Sequence, residues 1–443
     1  MAHISFNRGS ERSSRCRCRL CGSDDTTYSL SIDDHLGELF LYQCKACESY
    51  YFDGDDPVIG YQNGVSEEFW LDYAQAGAGI TTMLEPIFAL SPMPQGPLLD
   101  VGCGFGFVVD FWSRLVAPSA GLEKSYYGRV GKELLQANIH DCYLEDYVSA
   151  NPNESFDIVY SSEVIEHVPS PDEFLRDICQ VLSDEAILIL TTPSTTAISR
   201  ETSEAKLIAV LSPGFHYTII SEKRMIQMLE RCGLQFRIET HDQQMIVWAS
   251  RSDLPEISYG TLRWDDYFSY LARLSEVENP HLRGGALYRL FKDSLNTGRS
   301  DIATETWPKL ERLAWQTYKI NLLNPDLNEL LSISTPLSRL DEFPSWLGQA
   351  LLFGGIYVGT HIGDRRAKLR MIDAALIALE RRAKVDLQFG QEAQHLLPFA
   401  KKQYVIALAE ALNVSLSAID NDTVDEPLTA SLRALKETTR NFA

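Results

Sequence analysis

The sequence predicts an α/β fold built on a mainly parallel sheet, with a small cysteine-rich hairpin before it and a helical region after it. Between residues 97 and 191, short apolar runs alternate with stretches of helical periodicity, which is the pattern of βαβ units. Four cysteines lie in two pairs before residue 50, and from about residue 254 onward helix follows helix. Because 443 residues exceed what one hydrophobic core usually supports, two or three domains are expected.

The predicted strands are short and follow one another through the central part of the chain. Five apolar runs predict strands at 97–101, 119–123, 139–143, 156–160 and 186–191. Two further runs, Leu234–Thr240 and Met245–Trp248, are joined by Asp242 and Gln243. They predict an antiparallel hairpin at the edge of the sheet.

A glycine-rich turn follows the first of these strands and is the most informative part of the sequence. Asp100 precedes three glycines, which let the backbone turn sharply and approach a ligand closely: Gly102, Gly104 and Gly106. A dinucleotide-binding turn would have its third glycine at position 107, which is Phe. The D-x-G-x-G-x-G spacing suits a ligand that has a cationic amino-acid head and no pyrophosphate. S-adenosylmethionine is such a ligand.

A second acid, Glu123, ends the next predicted strand, where a carboxylate can bind both hydroxyls of a ribose. In these residues the chain resembles the class I S-adenosylmethionine-dependent methyltransferases. Ser155–Val168 resembles the fourth-strand motif of the ubiquinone-biosynthesis-type O-methyltransferases. The resemblance covers about Ser66–Ser250, and it implies a Rossmann-like, seven-stranded methyltransferase sheet in an active enzyme.

The resemblance also implies a set of residues that bind the cofactor. They are Tyr73, Asp100, Gly102, Cys103, Gly104, Gly106, Phe107, Glu123, Lys124, Tyr143, Leu144, Glu145 and Ser161. Tyr73 resembles an aromatic residue that covers the methionine end, although it could equally be a core aromatic. Tyr143 aligns with a position where relatives commonly have an acid for adenine, so Glu145 or the backbone would take that role.

Two histidines are candidates for the base that removes a proton from an acceptor hydroxyl. His167 follows the fourth strand, where relatives hold the methyl group, and an imidazole with a pKa of about 6.5 can act as a general base. Its alternative role is to cap the helix that follows. His216 lies in a loop that faces the acceptor in relatives, or is an ordinary loop histidine. Glu163 and Glu166 could bind the acceptor, could bind a metal as in relatives that use magnesium at this loop, or could be ordinary surface or helix-start carboxylates.

Two CxxC pairs near the start of the chain predict a structural zinc site. The four predicted ligands are Cys18, Cys21, Cys44 and Cys47. Between the pairs, residues 27–32 and 38–43 predict two strands, so that the segment forms a zinc ribbon. Without a metal, a hairpin of about 45 residues with four reduced cysteines would have too little core to fold.

Three domains are therefore expected: a zinc ribbon at 1–60, an S-adenosylmethionine-binding methyltransferase domain at 61–252, and a helical domain of unknown role at 253–443. A zinc ribbon before a methyltransferase core also resembles the C-methyltransferases of nucleotide-linked deoxysugars, but their C-terminal α/β domain has no counterpart here. Helices are predicted in the last domain at 262–276, 282–296, 300–321, 364–383, 391–413 and 427–440. The apolar stretch 346–360 is expected to be a buried helix.

The composition excludes some partners. A formal net charge of −21 would repel a nucleic-acid backbone, whose binding depends on Lys and Arg. The longest apolar stretch is shorter than the roughly 20 residues that a membrane span needs. The first residues show no basic-then-apolar leader, so a cytoplasmic protein is expected.

The expected function is S-adenosylmethionine-dependent methylation, first of all O-methylation of a sugar, glycan or other small-molecule hydroxyl. Two alternatives stay open. One is C-methylation of a nucleotide-linked keto-sugar, and the other is a scaffold that binds the cofactor without catalysis. The helical domain could close the active site, bind an acceptor or form a homo-oligomer.

Overall fold

The structure, a computed structural model, describes residues 3–7, 17–34, 37–53, 69–76, 79–241, 243–260, 262–327, 330, 340–384 and 387–411. The helix predicted at 427–440 lies outside these residues, as does the start of the methyltransferase-like region at Ser66. The chain forms two compact units. One comprises residues 1–67 and 79–267, and the other comprises residues 68–78 and 268–443.

The strands of the described residues all lie in the first unit. They are β1 (His3–Phe6), β2 (Thr26–Asp34), β3 (Gly37–Cys44), β4 (Tyr50–Phe52), β5 (Leu90–Ser91), β6 (Leu98–Val101), β7 (Ser119–Leu122), β8 (Ile139–His140), β9 (Phe156–Ser162), β10 (Leu182–Pro193), β11 (Thr218–Ile219), β12 (Gln235–His241), β13 (Gln244–Ser250) and β14 (Glu256–Ile257).

The described helices fall in both units. They are α1 (Phe69–Ala76), α2 (Ile80–Phe88), α3 (Phe107–Leu115), α4 (Tyr126–Leu135), α5 (Leu144–Ala150), α6 (Pro171–Val181), α7 (Glu204–Leu211), α8 (Glu222–Arg231), α9 (Trp264–Leu274), α10 (Pro280–Asn296), α11 (Ser300–Tyr318), α12 (Leu347–Tyr357), α13 (Arg365–Ala383) and α14 (Leu387–Ala411).

The central sheet has seven strands in the order β12-β13-β10-β9-β6-β7-β8. The strands from β10 to β8 in this order are parallel, and β13 runs antiparallel between β10 and β12. After β6 the chain continues to β7 and β8 on one side and then returns to β9 on the other side. This reversal opens a crevice at the carboxyl ends of β6 and β9, which is where open α/β sheets bind ligands. The predicted Rossmann-like seven-stranded sheet and its edge hairpin are confirmed.

One predicted strand is shorter than expected. The run 139–143 forms a strand only at Ile139–His140, and Tyr143 precedes the first residue of α5. Leu144 and Glu145 therefore begin a helix and do not end a strand. The acidic side chains of Glu145 and Asp146 in the first turn favour this helix start, because the amino end of a helix carries a partial positive charge.

The cysteine-rich hairpin is joined to the rest of the first unit. Its predicted strands are confirmed as the antiparallel pair β2–β3, and they belong to a sheet with the order β1-β2-β3-β4-β11. The last strand, β11, comes from the chain between β10 and β12. Cys18, Leu20 and Tyr51 pack in the same buried cluster as Leu99 and Ile220. The hairpin and the parallel sheet thus share one core.

The second unit is helical. Its core includes Trp307 of α11 and most of α12, so the predicted buried helix at 346–360 is confirmed. A Cβ at Gly354 would lie 2.3 Å from the Trp307 ring, which shows how closely α12 packs on α11. Asp72 of α1 and Arg382 of α13 form a buried ion pair at 2.6 Å. Among the helices described, none combines the length and apolar character of a membrane-crossing segment.

Candidate functional site

The glycine turn lies at the carboxyl end of β6 and requires its glycines. Gly102, Gly104 and Gly106 have φ values of 76°, 55° and 88°, a region that side chains with a Cβ rarely adopt. A Cβ on Gly102 would lie 2.4 Å from Cγ2 of Val164, and one on Gly106 would lie 2.6 Å from Cδ1 of Ile139. The turn therefore presents bare backbone at the start of α3, in the crevice of the sheet.

Two acids lie beside this turn: Asp100 precedes it in β6, and Glu123 directly follows β7. Asp100 is 3% exposed, and burial followed by the nearby Glu123 carboxylate raises the pKa of Asp100 well above its usual range. Glu123 accepts hydrogen bonds from the backbone N–H of Gly104 at 2.9 Å and of Ser125 at 2.8 Å. Two neighbouring carboxylates, one of them buried, repel each other when both are charged, and a ligand that brings a cation and hydroxyl donors would reduce that cost. The amino-acid head and ribose of S-adenosylmethionine have these groups.

Other residues predicted to bind the cofactor lie within or next to the turn and make contacts that hold its backbone. Ser161 Oγ donates to the carbonyl oxygen of Val101 at 3.0 Å and so ties β9 to the end of β6. Cys103 is buried, and the Phe107 ring packs against that of Phe105 with centroids 5.0 Å apart. These side chains fix the shape of the turn.

The remaining predicted cofactor residues follow β7 or β8 in the chain, or belong to the second unit. Lys124 pairs with Asp141, with Nζ 3.4 Å from Oδ1. Leu144 is buried, whereas Tyr143 is 41% exposed and Glu145 is also exposed. Tyr73 lies on α1, which belongs to the second unit. The structure thus brings together the glycine turn and both acids, and the predicted roles of these five residues stay predictions.

His167 and His216 come together although 48 residues separate the loops that carry them. His167 ends the short 3-10 turn Ile165–His167 that follows β9, and its ring packs edge-on against His216 with centroids 4.5 Å apart. His167 Nδ1 donates to the carbonyl oxygen of Phe215 at 3.2 Å, which leaves Nε2 as a proton acceptor. Burial lowers the pKa of His167 to about 4, so the ring is neutral at pH 7.

Glu166 completes this cluster and is fully buried. Its Oε2 accepts a hydrogen bond from Thr192 Oγ1 at 3.0 Å. Its Oε1 lies 3.9 Å from Nε2 of His167 and 4.0 Å from Nε2 of His216, and it has no hydrogen-bond partner among the described residues. Burial and the charge of Glu163 raise the pKa of Glu166 well above its usual range. The three groups can therefore receive and share a proton.

The sequence placed Glu163 and Glu166 in the same role, but the structure separates them. The Glu163 carboxylate accepts hydrogen bonds from Thr191 Oγ1 at 3.1 Å and from Gln244 Nε2 at 2.9 Å. Of the two glutamates, Glu166 is the one that lies with His167 and His216. One ligand atom from each of these three side chains lies within 4.8 Å of the other two, a spacing that a bound cation could also bridge. The residues around Glu166 and His167 in the sequence do not predict this contact, because the contact depends on His216, which is distant in the chain.

The four predicted zinc ligands converge in the hairpin. Cys18 Sγ lies 3.6 Å from Cys47 Sγ, and Cys21 Sγ lies 3.5 Å from Cys44 Sγ. All four sulfur atoms lie within 4.8 Å of one another. Tetrahedral zinc with Zn–S bonds of about 2.3 Å needs sulfur atoms roughly 3.8 Å apart. The arrangement fits a closed structural site.

Comparison with known proteins agrees with this geometry. Residues 77–237 match a family described as "Methyltransferase domain". The mitochondrial ubiquinone biosynthesis O-methyltransferase of Homo sapiens is 30% identical over 162 residues, which are 32% of this chain and 42% of that protein. The ubiquinone biosynthesis O-methyltransferase of Glaesserella parasuis is 24% identical over 165 residues, 35% of this chain and 64% of that protein. The chain thus spans less than two thirds of the length of these relatives.

Among solved structures, the plantazolicin methyltransferase BpumL, in complex with a desmethylPZN analog and SAH, is 14% identical. The alignment covers 41% of this chain and 95% of that chain, with a TM-score of 0.33. The fold assignment rests on the strand order and the glycine turn. With the match over residues 77–237, they indicate a methyltransferase domain in this part of the chain, similar to the class I S-adenosylmethionine-dependent methyltransferases.

Proposed function

We propose that this protein transfers the methyl group of S-adenosylmethionine to a hydroxyl of a small-molecule, sugar or glycan acceptor. The observation that carries the proposal is the orientation of His167, a neutral imidazole whose Nδ1–H is held by the Phe215 carbonyl. A hydroxyl is a poor nucleophile until its proton is removed, and a neutral imidazole can remove it. The O-methyltransferase names of the relatives support a hydroxyl acceptor.

Each group of the site has a part in this reaction. The bound cofactor supplies a methyl group activated on a sulfonium centre. Asp100, Glu123 and the glycine turn bind and orient its amino-acid head and ribose, and orientation of two reactants can lower a barrier by about 7–11 kcal/mol at best. His167 accepts the hydroxyl proton at Nε2. Glu166 Oε1, 3.9 Å away, stabilises the resulting imidazolium or takes the proton from it.

We also propose that the four cysteines hold one structural zinc ion. The sulfur–sulfur distances of 3.5 and 3.6 Å support this assignment. A zinc-bound hairpin before the methyltransferase domain is also a feature of C-methyltransferases of nucleotide-linked sugars. Transfer to a carbon next to a keto group is therefore the second candidate reaction, with His167 removing a proton from that carbon.

The deciding experiment incubates the purified protein with methyl-labelled S-adenosylmethionine and separate phenol, nucleotide-sugar and glycan acceptors. A labelled O–CH₃ product supports the proposal. A labelled C–CH₃ product, together with exchange of the proton beside the ketone, supports the second candidate. Cofactor binding without transfer to any acceptor would contradict both and favour a non-catalytic scaffold.

Replacement of Glu123 by Ala is expected to weaken cofactor binding by about 10- to 100-fold. Hydrogen bonds to charged groups contribute about 1.5–3 kcal/mol each, and the side chain is proposed to bind the ribose. Isothermal titration calorimetry with S-adenosylmethionine measures the change. Glu133→Ala, which removes an exposed acid on α4, is the matched control and should bind normally. Equal affinity of the Glu123 variant would contradict the cofactor site.

The pH dependence of methyl transfer distinguishes a buried base from an ordinary histidine. Because burial lowers the pKa of His167 to about 4, the neutral form persists as the pH falls and is lost only as the pH passes below about 4. An imidazole with a pKa of about 6.5 would be roughly 90% protonated at pH 5.5. We expect kcat/KM to be nearly constant from pH 8 to pH 5.5. A decline with a midpoint near 6.5 would assign the base to another group.

A further inference from the structure

A short stretch of chain, residues 215–221, connects the histidine cluster to the cysteine-rich hairpin. We call it the 215–221 segment. At its first residue the Phe215 carbonyl accepts the Nδ1–H of His167, and two residues later Tyr217 N–H donates to the backbone carbonyl of Glu166 at 2.9 Å. The segment thus fixes both the ring of His167 and the backbone that carries Glu166.

The middle of the segment is part of the sheet of the hairpin. Thr218 and Ile219 form β11, which pairs antiparallel with Tyr51 and Tyr50 of β4. Both β11 residues are buried. The pairing holds the backbone that follows His216 in one register against the strand that follows Cys47.

The second CxxC pair contacts the end of the segment directly. Ser221 N–H donates to Ser49 Oγ at 2.9 Å, and Ser221 Oγ donates to the carbonyl oxygen of Cys47. Ser49 in turn accepts, at its own carbonyl, the N–H of Cys44 at 2.9 Å. Ser49 and Ser221 are both buried, so water does not compete for these hydrogen bonds.

The first CxxC pair contacts the segment at a different point. Arg19 lies between Cys18 and Cys21, and its guanidinium group stacks over the Tyr217 ring, 5.3 Å from the centroid. One metal ion bound by both pairs would therefore fix the segment at Tyr217 and at Ser221.

We infer that the metal-binding hairpin is a positioning element of the catalytic site: through the 215–221 segment it sets the orientation of His167 toward the acceptor. This inference rests on the proposed role of His167 as base. A displacement of about 1 Å in a group that orients a reactant can cost about 100-fold in rate. None of the hydrogen bonds and pairings just described reaches the glycine turn, so the hairpin should act on methyl transfer and not on cofactor affinity.

Ser49→Ala tests this inference in the full-length, metal-loaded protein. The substitution removes the hydroxyl that accepts from Ser221 N–H, and it alters neither a cysteine nor a histidine. We expect full metal content, unchanged affinity for S-adenosylmethionine and a kcat that falls about 10-fold. Backbone amides of 217–220 should exchange with deuterium faster, while those of 98–107 should not change. Ser119→Ala is the matched control, because Ser119 Oγ makes a similar buried bond to the Val109 carbonyl at 2.7 Å, away from the segment.

The exchange measurement separates this inference from the proposed function. If Ser49→Ala leaves the exchange of 217–220 at the level of the Ser119→Ala control, the hairpin does not hold the segment and the inference is overturned. Faster exchange with an unchanged kcat overturns it as well. If the unmodified protein methylates no acceptor, the proposed function fails, and faster exchange in 217–220 alone still supports the structural half of the inference.

Discussion

Replacement of His167 by Gln is expected to lower kcat for methyl transfer by about 100- to 10,000-fold, the range typical of a lost general base. Gln keeps a similar size and can still donate to the Phe215 carbonyl, but it cannot accept a proton at pH 7. The rings of His167 and His216 pack against each other, so the variant also tests whether His216 substitutes as base. Single-turnover assays with saturating cofactor give the chemical step directly.

Two controls accompany this variant. Calorimetry should show unchanged affinity for S-adenosylmethionine, because His167 lies in the cluster after β9, whereas the proposed cofactor site lies at the turn after β6. His361→Gln, an exposed histidine in the second unit, should retain full activity. If His167→Gln keeps the kcat of the unmodified protein while His216→Gln loses it, then His216 is the base.

Replacement of Cys44 by Ser is expected to release the metal and to destabilise the first unit. Cys44 is fully buried, and its Sγ lies 3.5 Å from that of Cys21, so loss of this ligand opens the site. Structural zinc contributes about 10–16 kcal/mol in zinc-finger peptides, and hence we expect a large fall in the unfolding temperature. Elemental analysis should change from one zinc per chain to almost none.

The shared core makes the effect of this change extend beyond the hairpin. Tyr42 and Tyr51 pack with residues of the parallel sheet, so the loss should appear in the main unfolding transition and not only as local loosening. Cys142→Ser alters a half-buried cysteine that is not one of the four predicted ligands, and it should leave the metal content unchanged and the unfolding temperature nearly unchanged. Absence of zinc from the unmodified protein, purified without chelators, would contradict the assignment.

Much of the fold was predictable because its signals are local. Apolar runs of four to seven residues predicted the strands of the parallel sheet, and helical periodicity predicted the helices between them. The closely spaced glycines after Asp100 predicted the turn. Each of these signals is carried by neighbouring residues. The same holds for the two CxxC pairs, because their spacing already predicts that four cysteine side chains converge. The bounds of an element are harder to predict than its existence. The strand predicted at 139–143 ends at His140, and a helix with Glu145 and Asp146 in its first turn begins at Leu144.

The sequence by itself determined the fold class of the domain, and it predicted a cofactor site between Asp100 and Glu123 and two histidines worth testing. It could not show that those histidines share Glu166, nor that the hairpin expected at 1–60 supplies the strand beside β11. Both facts depend on contacts between residues far apart in the chain. Such contacts arise only when buried surfaces are matched in three dimensions, and no local pattern of residue types encodes which surfaces meet.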